Sequence, residues 1–291
     1  MPKLISDSER LFLEDGVEQG IRNDGRRLTD FREISIDLDV ISTSNGSSRI
    51  KNDELELIVA VKCEVASSYK DMASSGSIIV NIDCESVADK IAQVFPSFVE
   101  DDYSLYLTNI IKDMCFSEFD YSKLIIYEDQ LFWNIYIDVS VISFGGNLID
   151  WIVIGIHAAL RNTIIPKIEV NLIGNNKEPS VNEEIIYSVS PFNKSGTVFP
   201  YENVPFIVSA GCIRGKVIWD MDILEQVCSK TIVALSINSE GECICMNKIY
   251  SNTLDINIIP TILNKAIEIT KDLSSSMNEF FSDLKTRQCQ E

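Results

Sequence analysis

The chain has 291 residues, 45% of them hydrophobic and 24% charged, a balance that excludes disordered and fibrous classes and suits two domains or one large one. Lys and Arg total 25 against 44 Asp and Glu, a formal net charge of -19, so the mean field repels phosphate and argues against autonomous nucleic-acid binding through a basic stripe. The excess acid serves solubility, or forms acidic faces that meet basic neighbours in an assembly.

Ser6 with Glu9 three residues on is a capping-box pattern, and Leu11, Phe12, Val17 and Ile21 recur near helical spacing, so an N-terminal helix is predicted up to Asn23-Asp24-Gly25. Alternating apolar and polar residues over 32–40 and 48–65, with Ser44-Asn45-Gly46 between them, predict a hairpin. Residues 67–77 read as a loop, 78–82 as a strand, and 101–114 as a helix with an acidic start. Two strand-like runs, 124–127 and 131–144, follow. Gly145-Gly146-Asn147 then breaks into a strongly apolar helix ending near Asn162. A polar, Asn-rich connection over 174–195, with Ile185-Ile186-Tyr187 as a short strand inside it, places a domain boundary near residue 190. Beyond it, 205–209, 216–219, 231–237 and 242–249 read as strands, and 260–281 as a long terminal helix.

The eight cysteines are scattered, and reduced, buried thiols are the default expectation. Cys243 and Cys245 share a strand face, but C-x-x-C zinc spacing is absent and His157 is the only histidine, so neither a metal site nor a cofactor is expected. The most apolar stretch, 149–160, is too short to cross a membrane and carries Asp150 and His157. No long apolar segment opens the chain, and an intracellular, soluble protein without membrane contact is expected.

Several segments carry a resemblance. Arg22-Asn23-Asp24-Gly25-Arg26 followed by Asp30-Phe31-Arg32 resembles the R-x-D-G-R and D-F/Y-R opening of the RNase PH family; physically it is a tight turn with arginines converging on carboxylates or carbonyls. Asn45 to Lys51 with Ile58 to Glu64 is similar to the N-G-S-A-R-V-K and V-G-V-K-x-E hairpin of exosome ring subunits. Gly145-Gly146-Asn147-Leu148-Ile149-Asp150 resembles the family's G-G-N-L-x-D helix start, Ala158-Ala159-Leu160 its A-A-L, Glu202 to Pro205 its V-P strand, and Asp220 to Glu225 its D-P-T-L-E-E segment. The matches fall in order from about Ile21 to Met246 and are weakest over 67–123. The non-catalytic type of ring subunit fits them best.

The resemblance also says what is missing. Phosphorolysis needs a phosphate held by cationic and backbone donors, and a carboxylate for proton transfer or metal contact. Active members carry G-G-T-R where this chain has Gly145-Gly146-Asn147-Leu148, so the clamping arginine is a leucine. Active members place an aspartate six residues beyond the first acid of D-x-D-Y-x-E-D; here that position is Gln226, which cannot ionise. Asp220 and Asp222 remain as an isolated D-x-D, read as a strand end or turn, and no catalytic residue is assigned. The usual Gly and Thr after the S-A-R hairpin are Asp53 and Leu55. In this family inert subunits lend basic residues to the RNA path, and the candidates here are Arg49, Lys51 and, alone on its acidic helix, Lys112. Arg49 and Lys51 read equally well as exposed strand residues paired with local acids. Trp151 and Trp219, among aliphatic neighbours, read as core or interface fillers.

The expectation is therefore an α+β, RNase PH-like fold of two related β/α domains, residues 1–190 and 191–291, with sheets packed against helices. The resemblance implies a structural ring subunit of an RNA exosome, in the nucleus, including the nucleolus, and the cytoplasm. Its implied partners are other RNase PH-like ring subunits, cap subunits with RNA-binding domains, and RNA threaded through the assembly. The rival readings are a working phosphate-dependent 3′-to-5′ exoribonuclease and a free-standing RNase PH-like protein.

Overall fold

The computed structural model describes residues 4–67, 76–95, 100–127, 130–171, 186–189, 196–229, 231–249 and 253–288. Helix α1 (Asp7–Glu18) starts on the predicted capping box: Ser6 Oγ accepts from the Glu9 amide and the Glu9 carboxylate accepts from the Ser6 amide. The predicted hairpin is three strands, β1 (Ser35–Leu38), β2 (Gly46–Lys51) and β3 (Glu56–Ser67). The run 48–65 is thus broken. Asn52 turns it, its side-chain oxygen accepting from the amides of Glu54 and Leu55.

Strand β4 (Ser77–Asp83), the short helix α2 (Ala88–Val94), helix α3 (Glu100–Phe116), β5 (Ile125–Tyr127) and β6 (Leu131–Ser143) complete the first half up to the glycine pair. The first sheet runs β1-β2-β3-β6-β4, with β5 pairing β6; every contact is antiparallel except β4 with β6. Residues 133, 135, 137, 139 and 141 of β6 are buried, whereas Asp138, Ser140 and Ile142 are exposed, so one face is core and the other meets solvent.

Helix α4 (Leu148–Asn162) is buried continuously from Leu148 to Leu160 because both of its sides are covered, by β2 and β3 on one and by β11 (Phe206–Ile213) on the other. Gly155 allows the close approach: a Cβ there would stand 2.9 Å from both Leu57 and Val59 side chains, while Ser48 Oγ donates to the Gly155 carbonyl at 2.8 Å. Between α4 and β11 lie β7 (Ile164–Pro166), β8 (Ile168–Asn171), β9 (Ile186–Val189) and β10 (Gly196–Val198). They pair as β7 with β10 and β8 with β9, and the first of these ladders joins segments on either side of the expected boundary. Most of the connection expected over 174–195 lies outside the described residues, as does most of the loop expected over 67–77.

After β11 come β12 (Lys216–Trp219), the one-turn helix α5 (Ile223–Cys228), β13 (Thr231–Ile237), β14 (Cys243–Lys248) and α6 (Ile259–Gln288), which is longer than predicted. Their sheet runs β12-β11-β13-β14. Val208, Ala210, Val233, Leu235 and Ile237 pack with Ile262, Ala266 and Ile269 of α6, while Ile207 and Ala234 join the core around α4. The result is four layers: first sheet, α3 and α4, second sheet, α6. The default of buried thiols fails at Cys243, exposed on edge strand β14, and at Cys212 and Cys245, which are only partly covered. Among the described residues no helix is long and apolar enough to cross a membrane, and no group of three or more acidic, Cys or His side chains converges as metal ligands.

Candidate functional site

The glycine-pair start of α4 meets the β12–α5 corner in the middle of the molecule. Gly146 makes this contact possible. It sits at φ 91°, and a Cβ on it would lie 2.6 Å from the Met221 carbonyl oxygen and from the Asp222 carbonyl carbon. Asn147 follows in the left-handed region at φ 49°, and Asp220 at φ 42° turns the chain out of β12.

Asp220 is fully buried. Its Oδ1 accepts from Arg32 Nη2 at 2.7 Å, Trp151 Nε1 at 3.1 Å and Asn147 Nδ2 at 3.2 Å. Its Oδ2 accepts from the Arg32 amide and Arg26 Nη1, both at 2.8 Å, and from Arg32 Nε at 2.9 Å. Six donors thus address a group with about four lone-pair directions, so the carboxylate has none to spare. Burial pushes the Asp220 carboxyl up, but the hydrogen bonds and charge of Arg32, with the charge of Arg26, prevail and hold it below the usual carboxylate range.

The same arginines brace the backbone. Arg32 donates to the carbonyls of Gly145 and Gly146 and lies over the Trp151 ring, its guanidinium carbon 5.7 Å from the centroid. Arg22, 3% exposed, forms a bidentate pair with Glu225, at 2.8 Å from Nε and 2.6 Å from Nη2, and donates to the carbonyls of Trp219 and Asp220. The convergence expected of Arg22-Asn23-Asp24-Gly25-Arg26 and Arg32 is therefore present, with its main acceptors almost 200 residues away.

A second buried acid adjoins the cluster. Asp150 Oδ1 lies 2.7 Å from Ser209 Oγ, and its Oδ2 accepts from the Ser209 amide at 2.9 Å and from Asn147 Nδ2 at 3.0 Å. Burial, with the neighbouring charge of Asp220, pushes the Asp150 carboxyl up to about 7 against the opposing hydrogen bonds from Ser209 and Asn147. Ser209 Oγ also lies 2.5 Å from Asn147 Oδ1. One hydroxyl proton cannot serve both contacts, so a proton on Asp150 completes the network: the acid donates to Ser209 and Ser209 donates to Asn147.

Of the D-x-D pair, Asp220 is closed, whereas Asp222 is only partly buried and has one carboxylate oxygen engaged. Asp222 is the N-cap of α5, accepting from the Glu225 amide at 2.7 Å while the Glu225 carboxylate accepts from the Asp222 amide at 3.0 Å. Leu148 is 2% exposed at the start of α4, and Gln226 is 5% exposed with its Oε1 unpartnered among the described residues. Trp151 and Trp219 are both 1% exposed, and Trp151 adds a hydrogen-bond role that sequence alone did not assign.

The three basic candidates lie elsewhere and do not converge. Ser48 and Ile50 of β2 face α4, so Arg49 and Lys51 alternate onto the outer face of the first sheet. Arg49 is half-buried and held by Glu56, with Nε at 2.9 Å from Oε1. Lys51 is exposed at the end of β2, and Lys112 is exposed on α3, which packs on the opposite side of that sheet.

Comparison with known proteins fits this geometry. Residues 30–166, a little under half of the chain, match the RNase PH family, 3′ exoribonuclease family, domain 1. Along nearly its whole length it is similar to the exosome complex component Rrp42 of Methanocella arvoryzae, 28% identical over 95% of this chain and 96% of that one. It is likewise similar to the putative exosome complex exonuclease RRP42 of Dictyostelium discoideum, 26% identical over 92% of this chain and 93% of that one. Among solved structures, a chain of an archaeal exosome core superposes with a TM-score of 0.73 at 22% identity, covering 94% of this chain and 97% of that one. A chain of the Archaeoglobus fulgidus exosome with RNA bound to the active site superposes with a TM-score of 0.73 at 23% identity, covering 93% and 98%. The α+β, RNase PH-like architecture expected from the sequence is the one observed.

Proposed function

We propose that the chain is a ring subunit of an RNA exosome, acting in 3′-to-5′ RNA processing and decay as architecture and not as a nuclease. The observation that carries this reading is the saturation of Asp220: with Arg26, Arg32, Asn147 and Trp151 all donating to it, the first acid of the D-x-D segment has no capacity for a metal ion or a substrate proton. Leu148 offers no guanidinium to an attacking phosphate, and Gln226 no carboxylate. Arg22, Arg26 and Arg32 join the two halves of the chain through Glu225 and Asp220.

The partners are related RNase PH-like subunits side by side in the ring, cap subunits with RNA-binding domains, and RNA passing through. Apolar edges suit such neighbours. Ile164 and Val198 pair across β7 and β10 at 45% and 58% exposure, and Met246 is 49% exposed on edge strand β14. Lys51 and Lys112, and Arg49 if released from Glu56, are the proposed RNA contacts. The nucleus and cytoplasm are the proposed locations.

Two measurements test this. Co-expression with RNase PH-like ring subunits should give a stoichiometric complex by size exclusion; a monomer that ignores them would favour the free-standing alternative. The purified chain, incubated with 3′-labelled RNA and inorganic phosphate, should release no nucleoside diphosphate. Phosphate-dependent release would establish the exoribonuclease reading instead.

A further inference from the structure

A cleft of about 450 Å³ opens on the far side of α4 from the Asp220 cluster, bounded by the C-terminal turn of α4, the 3-10 turn Tyr201–Asn203, the end of β13 and helix α6. It lies within the size range of small-molecule sites. Three of its lining residues have buried polar atoms with no protein partner among the described residues: Arg161 Nε, His157 Nδ1 and Thr270 Oγ1. His157 and Thr270 are only 2% and 3% exposed. Buried polar atoms are rarely left unmet, because each forfeits the hydrogen bonds it made to water.

The hydrogen-bond sense of each atom can be assigned. His157 Nε2 lies 3.0 Å from the Pro205 carbonyl, which can only accept, so Nε2 carries the proton. The ring stacks on Phe206 with centroids 3.8 Å apart, and burial lowers its pKa to about 4, so it is neutral and Nδ1 is an acceptor. Arg161 Nε is a donor; its guanidinium lies 4.8 Å from the Tyr201 centroid and 5.7 Å from that of Phe281, Nη1 donates to Asn278, and no described carboxylate lies within 4.0 Å. Thr270 can donate or accept. Lys271 reaches toward Gly241, its Nζ 3.9 Å from where a Gly241 Cβ would stand, and adds a second cation; Glu202 is the one carboxylate in the lining.

From this arrangement we infer that the cleft between α4 and α6 is a binding site for a small hydroxylated phosphate monoester, with Arg161 and Lys271 on the phosphate and His157 and Glu202 accepting from hydroxyls. The inference is independent of ring membership. Two cations matched to one acid favour an anionic group, whereas two acceptors set beside them require a ligand that also donates, which inorganic phosphate does poorly.

Isothermal titration of the full-length chain with ribose 5-phosphate, AMP and inorganic phosphate tests the site. Ribose 5-phosphate or AMP should bind at least about tenfold tighter than inorganic phosphate. AMP ahead of ribose 5-phosphate would identify a nucleotide, and the reverse a sugar phosphate. The exposed Lys271→Ala variant, which removes no packing, should weaken binding several-fold, and Arg161→Met should abolish it with the circular dichroism spectrum unchanged. No binding of either organic phosphate at millimolar concentration, equal binding of inorganic phosphate, or indifference to Lys271→Ala would each overturn the assignment.

Discussion

The Asp220 cluster and the α4–α6 cleft lie at opposite ends of one helix and treat polar groups in opposite ways. At the start of α4, one carboxylate receives six donors and three arginines are absorbed into pairs and carbonyl contacts. Near its end, a guanidinium, an imidazole and a hydroxyl each keep an atom unmet by the described residues. A saturated network spends its bonding capacity on holding the fold, whereas an unsaturated one retains capacity for something outside it. Similar residue types therefore serve architecture in one place and recognition in the other.

The largest effect should come from breaking the saturated side. Asp220→Asn replaces an acceptor-only group with one whose amide must face either Arg26 and Arg32 or Trp151 and Asn147, and it leaves Arg32 only the more distant Glu54, and Arg26 only Asp24, as counter-charge. Losing one partner of such a buried network costs about 3–5 kcal/mol, to be read as a lowered urea midpoint. Because Asp220 is held below its unfolded value, its contribution is complete above about pH 4 and is lost as pH falls through the folded value. The acid limb of the stability curve should be shallower in the variant; an unchanged midpoint would mean that the cluster does not join the halves.

Asp150 acts in the opposite direction. Its carboxyl is raised to about 7, so the folded chain binds a proton that the unfolded chain has released, and stability falls as pH rises from about 4 to 7 and levels off above. At about 1.4 kcal/mol per unit this amounts to roughly 4 kcal/mol. Asp150→Asn keeps the shape, its oxygen accepting from the Ser209 amide and its amide donating to Ser209 Oγ. The variant should match the parent near pH 4 and exceed it at pH 8 in chemical denaturation. A parallel decline in both proteins would place the proton elsewhere.

Much of the fold was legible because it rests on local patterns: the Ser6–Glu9 capping box, the alternation of β6 and the glycine-pair helix start all form where periodicity and turn chemistry place them. Helix α5 was not foreseen, being one turn whose capping box, Asp222 with Glu225, sits inside the segment read for its acids. The parallel pairing of β4 with β6 was equally hidden, since it depends on a crossover and not on neighbours. At the site, the arginines of the opening motif were recognisable as convergent, but their partners Asp220 and Glu225 lie too far along the chain for spacing to reveal. Asp150 had a signal, a single acid leading an otherwise apolar run. The cleft had none, because unmet hydrogen bonds exist only once helices α4 and α6 are packed.

The smallest effects give the sharpest comparison, because they remove the same chemical group from the two ends of α4. Ser209→Ala deletes a hydroxyl that bridges Asn147 and Asp150, leaving both with an unmet atom at a cost of about 1–3 kcal/mol. Thr270→Val deletes a hydroxyl that has no protein partner among the described residues and keeps the volume and branching of the side chain. Its expected effect is within about 0.5 kcal/mol of zero or slightly stabilising, since a buried polar atom is exchanged for a methyl with no bond lost. The two variants should therefore separate in thermal unfolding. If Thr270→Val costs as much as Ser209→Ala, the Thr270 hydroxyl is already satisfied in the free protein, and the contrast between the closed end of α4 and the open one disappears.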